Sequence, residues 1–118
     1  MYDPHTHAYR LGVRVHHREI GSPTGLWVPR LQTIFLRPGM TARHERSVLA
    51  HEVAHVVLGH SDTSRKQELA ADAMAARNLV DPRALSELTK WTHEIPELAI
   101  ELGVTEKVIR TYLKEEHA

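Results

Sequence analysis

The stretch that most constrains this chain is His51-Glu52-Val53-Ala54-His55. On a helix, side chains at this spacing lie one above the other, with about 5–6 Å between their Cβ atoms. His51 and His55 can therefore place two imidazoles on a single zinc ion. Glu52 projects about 100° round the helix from His51, so it can face a metal-bound water instead of the metal. The stretch predicts a helix that carries part of a metal site and an acid beside it.

A second helix is expected to lie next to the first. Thr41 is a plausible N-cap for the first helix, and Gly59 is typical of a C-terminal cap. Ser64 to Gln67 then fits a capping box that opens the second helix. Because the loop between the two helices is short, we expect them to form an antiparallel pair.

The antiparallel pair supplies a third ligand. His55 lies four residues before the cap Gly59, and Glu68 lies four residues after the cap Ser64. In an antiparallel pair these two residues are therefore at the same level beside the turn. One turn further away, Asp72 is level with His51. Glu68 is therefore the candidate third ligand, and Asp72 can accept a hydrogen bond from the second nitrogen of a ligand histidine.

Two histidines and an acid at this spacing are typical of zinc peptidases, in which the glutamate is the general base. His44 and His60 flank the motif and could contact the substrate or the transition state, or lie behind the ligands or at the surface. If either were a fourth protein ligand, the zinc would only hold the fold. A metzincin site is excluded, because Leu58 and Ser61 occupy the positions where that pattern needs Gly and His.

Composition sets further limits. At 118 residues the chain is expected to form one domain, 1–118. The absence of cysteine excludes disulfides and thiolate metal sites and favours a cytoplasmic protein. We find no apolar run of about 18 residues and no signal-peptide pattern, so we expect no membrane association. Basic and acidic residues balance, which gives no electrostatic case for nucleic-acid binding.

The rest of the chain predicts an α+β fold. Apolar and polar residues alternate over 11–17, which indicates a half-buried strand, and 26–28 and 33–36 fit two more. A small, mostly antiparallel sheet should therefore precede the metal helix, and its edge strand either holds the substrate backbone or only caps the core. Further helices are predicted over 64–80, 82–91 and 97–102.

The last stretch, from Leu98 to Arg110, looks like a helix-turn-helix, with Gly103 at the turn and Thr105 as N-cap. From residue 94 onward it has three basic against six acidic side chains. DNA affinity depends mainly on phosphate neutralisation, so we expect this tail to pack against the core or to dock a protein rather than to bind DNA.

Taken together, the motifs resemble the ImmA/IrrE family of metallopeptidases. The segments that carry the resemblance are Tyr2-Asp3-Pro4, Leu11-Gly12-Val13, Ile34-Phe35-Leu36, Leu49 to His55 and Glu68 to Ala75. One departure is Met74, where the family usually has Phe, and it affects only local packing.

The resemblance implies one zinc ion on His51, His55 and Glu68, a gluzincin-like arrangement with Glu52 as the base and Asp72 behind the ligands. It implies a zincin-like core over 1–82 and a helical tail over 83–118. It also implies a helix-turn-helix repressor as substrate, from a phage or mobile element in a bacterial host. The alternative is a non-catalytic, zinc-stabilised regulator that binds a repressor or DNA through its C-terminal helices.

Overall fold

The computed structural model describes residues 1–61 and 64–117, and in this part of the chain six α-helices accompany three strands. Asp62 and Thr63, in the predicted loop of the helix pair, and Ala118, at the end of the predicted tail, lie outside the described residues. The predicted α+β class is confirmed. In chain order the elements are α1 (Pro4–Arg10), β1 (Arg14–His17), β2 (Gly25–Val28), a 3₁₀ turn (Pro29–Leu31), β3 (Thr33–Leu36), α2 (Ala42–Leu58), α3 (Arg65–Leu79), α4 (Pro82–Leu88), α5 (Ile95–Leu102) and α6 (Glu106–Glu116).

The sheet has the order β1-β3-β2, with β3 in the centre. β2 pairs antiparallel with β3 and β1 pairs parallel with it, so the sheet is mixed, whereas we expected it to be mostly antiparallel. The two connections between the strands explain this mixed pairing. A tight turn, in which Gln32 takes a left-handed φ of 49°, folds β2 back onto β3, while the Gly- and Pro-containing segment 18–24 carries the chain from β1 past β3. β2 is consequently an edge strand.

The metal helix α2 begins and ends where its capping residues predict. The Thr41 hydroxyl accepts a hydrogen bond from the backbone N–H of His44 at 3.3 Å, and Gly59 has the left-handed φ of 71° that ends the helix. Leu49 and Val53 pack on the sheet, and Ala50 packs on the helical side of the molecule. α2 is therefore buried between the two halves of the core, which fixes the direction of its polar side chains.

The connection between α5 and α6 is attached to α2. Arg46 donates a hydrogen bond of 3.0 Å to the carbonyl of Gly103 and another of 3.0 Å to that of Tyr2. The N–H of Thr105 donates to the Ser47 hydroxyl at 3.1 Å. These bonds place the first turn of α6 next to the metal helix, and α6 also packs along α3. Among the described residues, no helix is both long and apolar enough to cross a membrane.

Candidate metal centre

Two imidazoles and a carboxylate meet between α2 and α3. The Nε2 atoms of His51 and His55 lie 3.1 Å apart. The two carboxylate oxygens of Glu68 lie 2.8 Å from Nε2 of His51 and 3.1 Å from Nε2 of His55. Glu68 therefore contacts both rings. From the sequence, we expected Glu68 to lie level with His55 and Asp72 to lie level with His51.

Asp72 lies behind His51, on the ring nitrogen that faces away from this meeting point. Its Oδ1 is 2.8 Å from Nδ1 of His51, and its Oδ2 is 3.4 Å from Nζ of Lys107. Burial alone would raise the pKa of Asp72, but His51 and Lys107 hold it below its ordinary value. Burial would likewise lower the pKa of His51, and the hydrogen bond to Asp72 together with nearby carboxylates raises it. Asp72 and Glu68 thus contact opposite nitrogens of the His51 ring, a position from which Asp72 can orient it.

His60 contacts His55, the second histidine of the motif, as Asp72 contacts His51. Its Nδ1 lies 3.0 Å from Nδ1 of His55, on the opposite side of that ring from Glu68. His55 is only 5% exposed, and this burial, together with the adjacent His51, lowers its pKa. The structure therefore places His60 where it can orient His55, a position for which the sequence left several roles open.

Glu52 lies beside the two histidines and is held by the sheet. It is 8% exposed, and its Oε1 accepts a hydrogen bond of 3.0 Å from the backbone N–H of Trp27 in β2. Burial raises the pKa of Glu52 above its ordinary value. The acid of the motif is thus buried, hydrogen-bonded by one backbone donor and fixed to the edge strand.

Gly25 makes this approach of the strand to the helix possible. A Cβ atom at this position would lie 2.7 Å from Cγ1 of Val48 and 3.0 Å from Cγ of Glu52. Both distances are shorter than ordinary van der Waals contact. A side chain at this position would push β2 away from α2, and so away from Glu52, which β2 holds through the Trp27 N–H.

The site opens into a cleft of about 700 Å³. One wall is the edge strand, which contributes Leu26 and Trp27, and the opposite wall is α6, which contributes Lys107 and Thr111. His44 lies on the same cleft, exposed to solvent. The candidate metal site is therefore at the floor of a groove between the sheet and the C-terminal helices.

The donors present fit a divalent metal of the zinc type. His51, Glu52 and His55 bring ligand atoms within 4.8 Å of one another, and Glu68 brings its oxygens closer still to both ring nitrogens. Two imidazoles with a carboxylate form a common ligand set for catalytic zinc. We favour Glu68 over Glu52 as the carboxylate ligand, because Glu68 contacts both rings while Glu52 is held by the strand.

The sequence did not single out Lys107 or Gly25. Lys107 gave no local signal, because its position beside Asp72 depends on how α6 packs against α3. Gly25 did carry one, since a glycine inside a strand often marks a close approach of another segment.

The family model Peptidase_M78, described as IrrE N-terminal-like domain, matches residues 8–114. No curated protein matches the chain. The family match spans α2 and α3 and bears out the resemblance drawn from the sequence motifs.

Proposed function

Because the chain belongs to the IrrE N-terminal-like family of peptidases, we propose that it is a zinc-dependent endopeptidase. The observation that carries the proposal is the convergence of His51, His55 and Glu68 beside a buried acid. His51, His55 and Glu68 would hold one zinc ion, and Asp72 and His60 would orient the two imidazoles. When bound, zinc supplies a Lewis acid that polarises the scissile carbonyl.

Glu52 is the general base in this proposal. Its buried position raises its pKa, which makes the carboxylate a better proton acceptor near neutral pH. It takes a proton from the attacking water and passes it to the leaving amine. The bond from the Trp27 N–H holds one carboxylate oxygen, Oε1, and the other oxygen would make this transfer.

The edge strand would position the substrate. In the part of the chain that the structure describes, β2 pairs with β3 on one side only, and residues of β2 line the cleft. An extended peptide can add to such an edge through main-chain hydrogen bonds. A substrate strand placed there would lie next to Glu52.

We further propose that the substrate is a helix-turn-helix repressor of a phage or mobile element, cleaved in the cytoplasm of a bacterial host. Support for this substrate class and this location comes from the family resemblance. We expect neither nucleic acid nor a membrane to be a partner.

Co-expression with a helix-turn-helix repressor from the same phage or mobile element tests the proposal, with intact mass of the products as the readout. The wild type should give two fragments of the repressor, and Glu52→Gln should leave it whole. Zinc content of both purified proteins is the control. One zinc per chain in each, with cleavage by the wild type only, supports the base assignment. Cleavage by Glu52→Gln at the wild-type rate contradicts it.

A fourth protein ligand, His60 or His44, would favour the alternative, a non-catalytic zinc-stabilised regulator. His60 faces Nδ1 of His55, whereas Glu68 and His51 face its Nε2. His44 lies exposed on the cleft wall. This arrangement favours an open coordination position, and therefore the enzyme.

A further inference from the structure

A second cavity continues from the metal cleft. It has a volume of about 420 Å³, and it shares His44, Thr105 and Lys107 with the cleft. Its lining also includes Arg43 and Arg110. We call it the basic groove, defined by Arg43, His44, Lys107 and Arg110. It lies where the first turns of α2 and α6 meet.

The basic groove has three permanently charged basic side chains and one carboxylate, that of Glu106. Arg110 lies 3.4 Å from Glu106, and the two side chains are 59% and 41% exposed. Exposed pairs of this kind are worth little, about 0–1 kcal/mol. Arg43 donates to the neutral carbonyl of Val104 at 3.0 Å, which leaves its charge uncompensated by that partner. With three basic side chains against one carboxylate in its lining, the groove has a net positive charge.

Lys107 connects the groove to the metal cleft. Its amine lies 3.4 Å from Asp72, which holds His51, yet its side chain is 72% exposed. The positive ends of two helices add to the field, since the N-caps Thr41 and Thr105 both line the groove. A polypeptide that leaves the metal site along α6 passes these charges within a few residues.

We infer that the basic groove binds an acidic segment of the protein substrate, on one side of the scissile bond. This inference rests on the proposed function, and it names a property of the substrate that the metal site alone does not define. An acidic peptide is favoured over nucleic acid because the groove is continuous with the cleft. The rest of the tail is acidic, with exposed carboxylates at Glu94, Glu97, Glu101, Glu115 and Glu116.

The test measures binding, so that it does not depend on cleavage. Full-length Glu52→Gln protein is titrated into three fluorescein-labelled peptides with the same apolar centre, which end in a run of Asp and Glu, of Ser, or of Lys. Fluorescence anisotropy gives each affinity at low and high salt. We expect the acidic peptide to bind about tenfold more tightly than the Ser peptide at low salt, and the difference to shrink as salt screens the charges.

Variants locate the contact. Arg110→Glu in the same background should weaken binding of the acidic peptide about fivefold or more. Lys114→Glu is the matched control, since it makes the same charge change on the same helix, at a position outside the groove. It should change the affinity less than twofold.

Three results would overturn the inference. The first is equal binding of the three peptides, and the second is equal loss from Arg110→Glu and Lys114→Glu. The third is displacement of the acidic peptide by duplex DNA at a similar concentration, with DNA binding also lost in Arg110→Glu, which would make the groove a nucleic-acid surface. The two experiments fail separately. Absence of repressor cleavage by the wild type would contradict the proposed function while the peptide affinities could still be compared, and equal binding of the three peptides would contradict the groove inference without changing the cleavage result.

Discussion

Oε1 of Glu52 accepts a hydrogen bond of 3.0 Å from the backbone N–H of Trp27. The bond joins the acid of helix α2 to the edge strand, through two residues that lie 25 positions apart in the chain. In the proposed mechanism it joins the general base to the strand that receives the substrate. Because one backbone donor compensates a buried carboxylate only in part, we expect the charged form of Glu52 to lower the stability of the fold.

Replacing Glu52 by Gln should stabilise the metal-free protein at neutral pH by roughly 1 kcal/mol, the usual cost of a poorly compensated buried polar group. Burial places the pKa of the folded carboxyl above its ordinary value of 4.5. The charged form is therefore penalised at pH 7, and the penalty disappears as pH falls below 4.5, where folded and unfolded chains are both protonated. The advantage of Glu52→Gln should fade over the same range.

Thermal unfolding with a chelator present, from pH 7 to pH 4, measures this advantage. Glu101→Gln, on the exposed face of α5, controls for general charge effects. A Glu52→Gln protein that is less stable than the wild type at pH 7 would show that the charged side chain is fully compensated in the fold.

Gly25→Ala should destabilise the protein by about 1–3 kcal/mol, the typical cost of overpacking, and should also reduce peptidase activity. The added methyl would lie 2.7 Å from Cγ1 of Val48 and 3.0 Å from Cγ of Glu52, so β2 must move away from the acid. Denaturant unfolding gives the stability.

Val48→Ala makes a matched second variant, because it removes the methyl group that the new Cβ would contact first. In Gly25→Ala/Val48→Ala the loss should be smaller than the sum of the single losses by about 0.5 kcal/mol or more. Additive losses would mean that the strand adapts to the alanine without contacting Val48.

Asp72→Asn should weaken zinc binding by about 10- to 100-fold, the range typical of partners that orient a ligand histidine. The amide loses the charge that holds Nδ1 of His51 at 2.8 Å. Competition with a chromophoric chelator at pH 7 measures the affinity, and Asp81→Asn, at the N-cap of α4, supplies a control outside the site. Unchanged zinc affinity in Asp72→Asn would remove its positioning role.

Arg46→Met should destabilise the protein by about 1–3 kcal/mol and loosen the C-terminal helices. The change keeps the apolar stem but leaves the carbonyls of Gly103 and Tyr2 without their donor. Limited proteolysis should cut first near the α5–α6 connection. Arg30→Met, on the exposed 3₁₀ turn, should leave both stability and the proteolysis pattern unchanged, and an equal effect of the two variants would contradict the assignment.

The sequence by itself determined the parts of this protein that depend on local geometry. The spacing of His51 and His55 on a 3.6-residue helix, and the caps at Thr41, Gly59 and Ser64, indicated two adjacent helices. From these alone, Glu68 and Asp72 could be placed level with the histidines, and the structure brings all four side chains together. Their roles as ligands and support stay predictions.

Only the tertiary structure decided which segments meet across long stretches of chain. The parallel pairing of β1 with β3 depends on where the 18–24 segment crosses. The bond from Trp27 to Glu52 depends on how closely Gly25 lets the strand approach. The ion pair of Lys107 with Asp72 depends on the packing of α6 against α3. Such contacts are set by packing between distant elements, for which periodicity and capping within a single helix or strand carry no information.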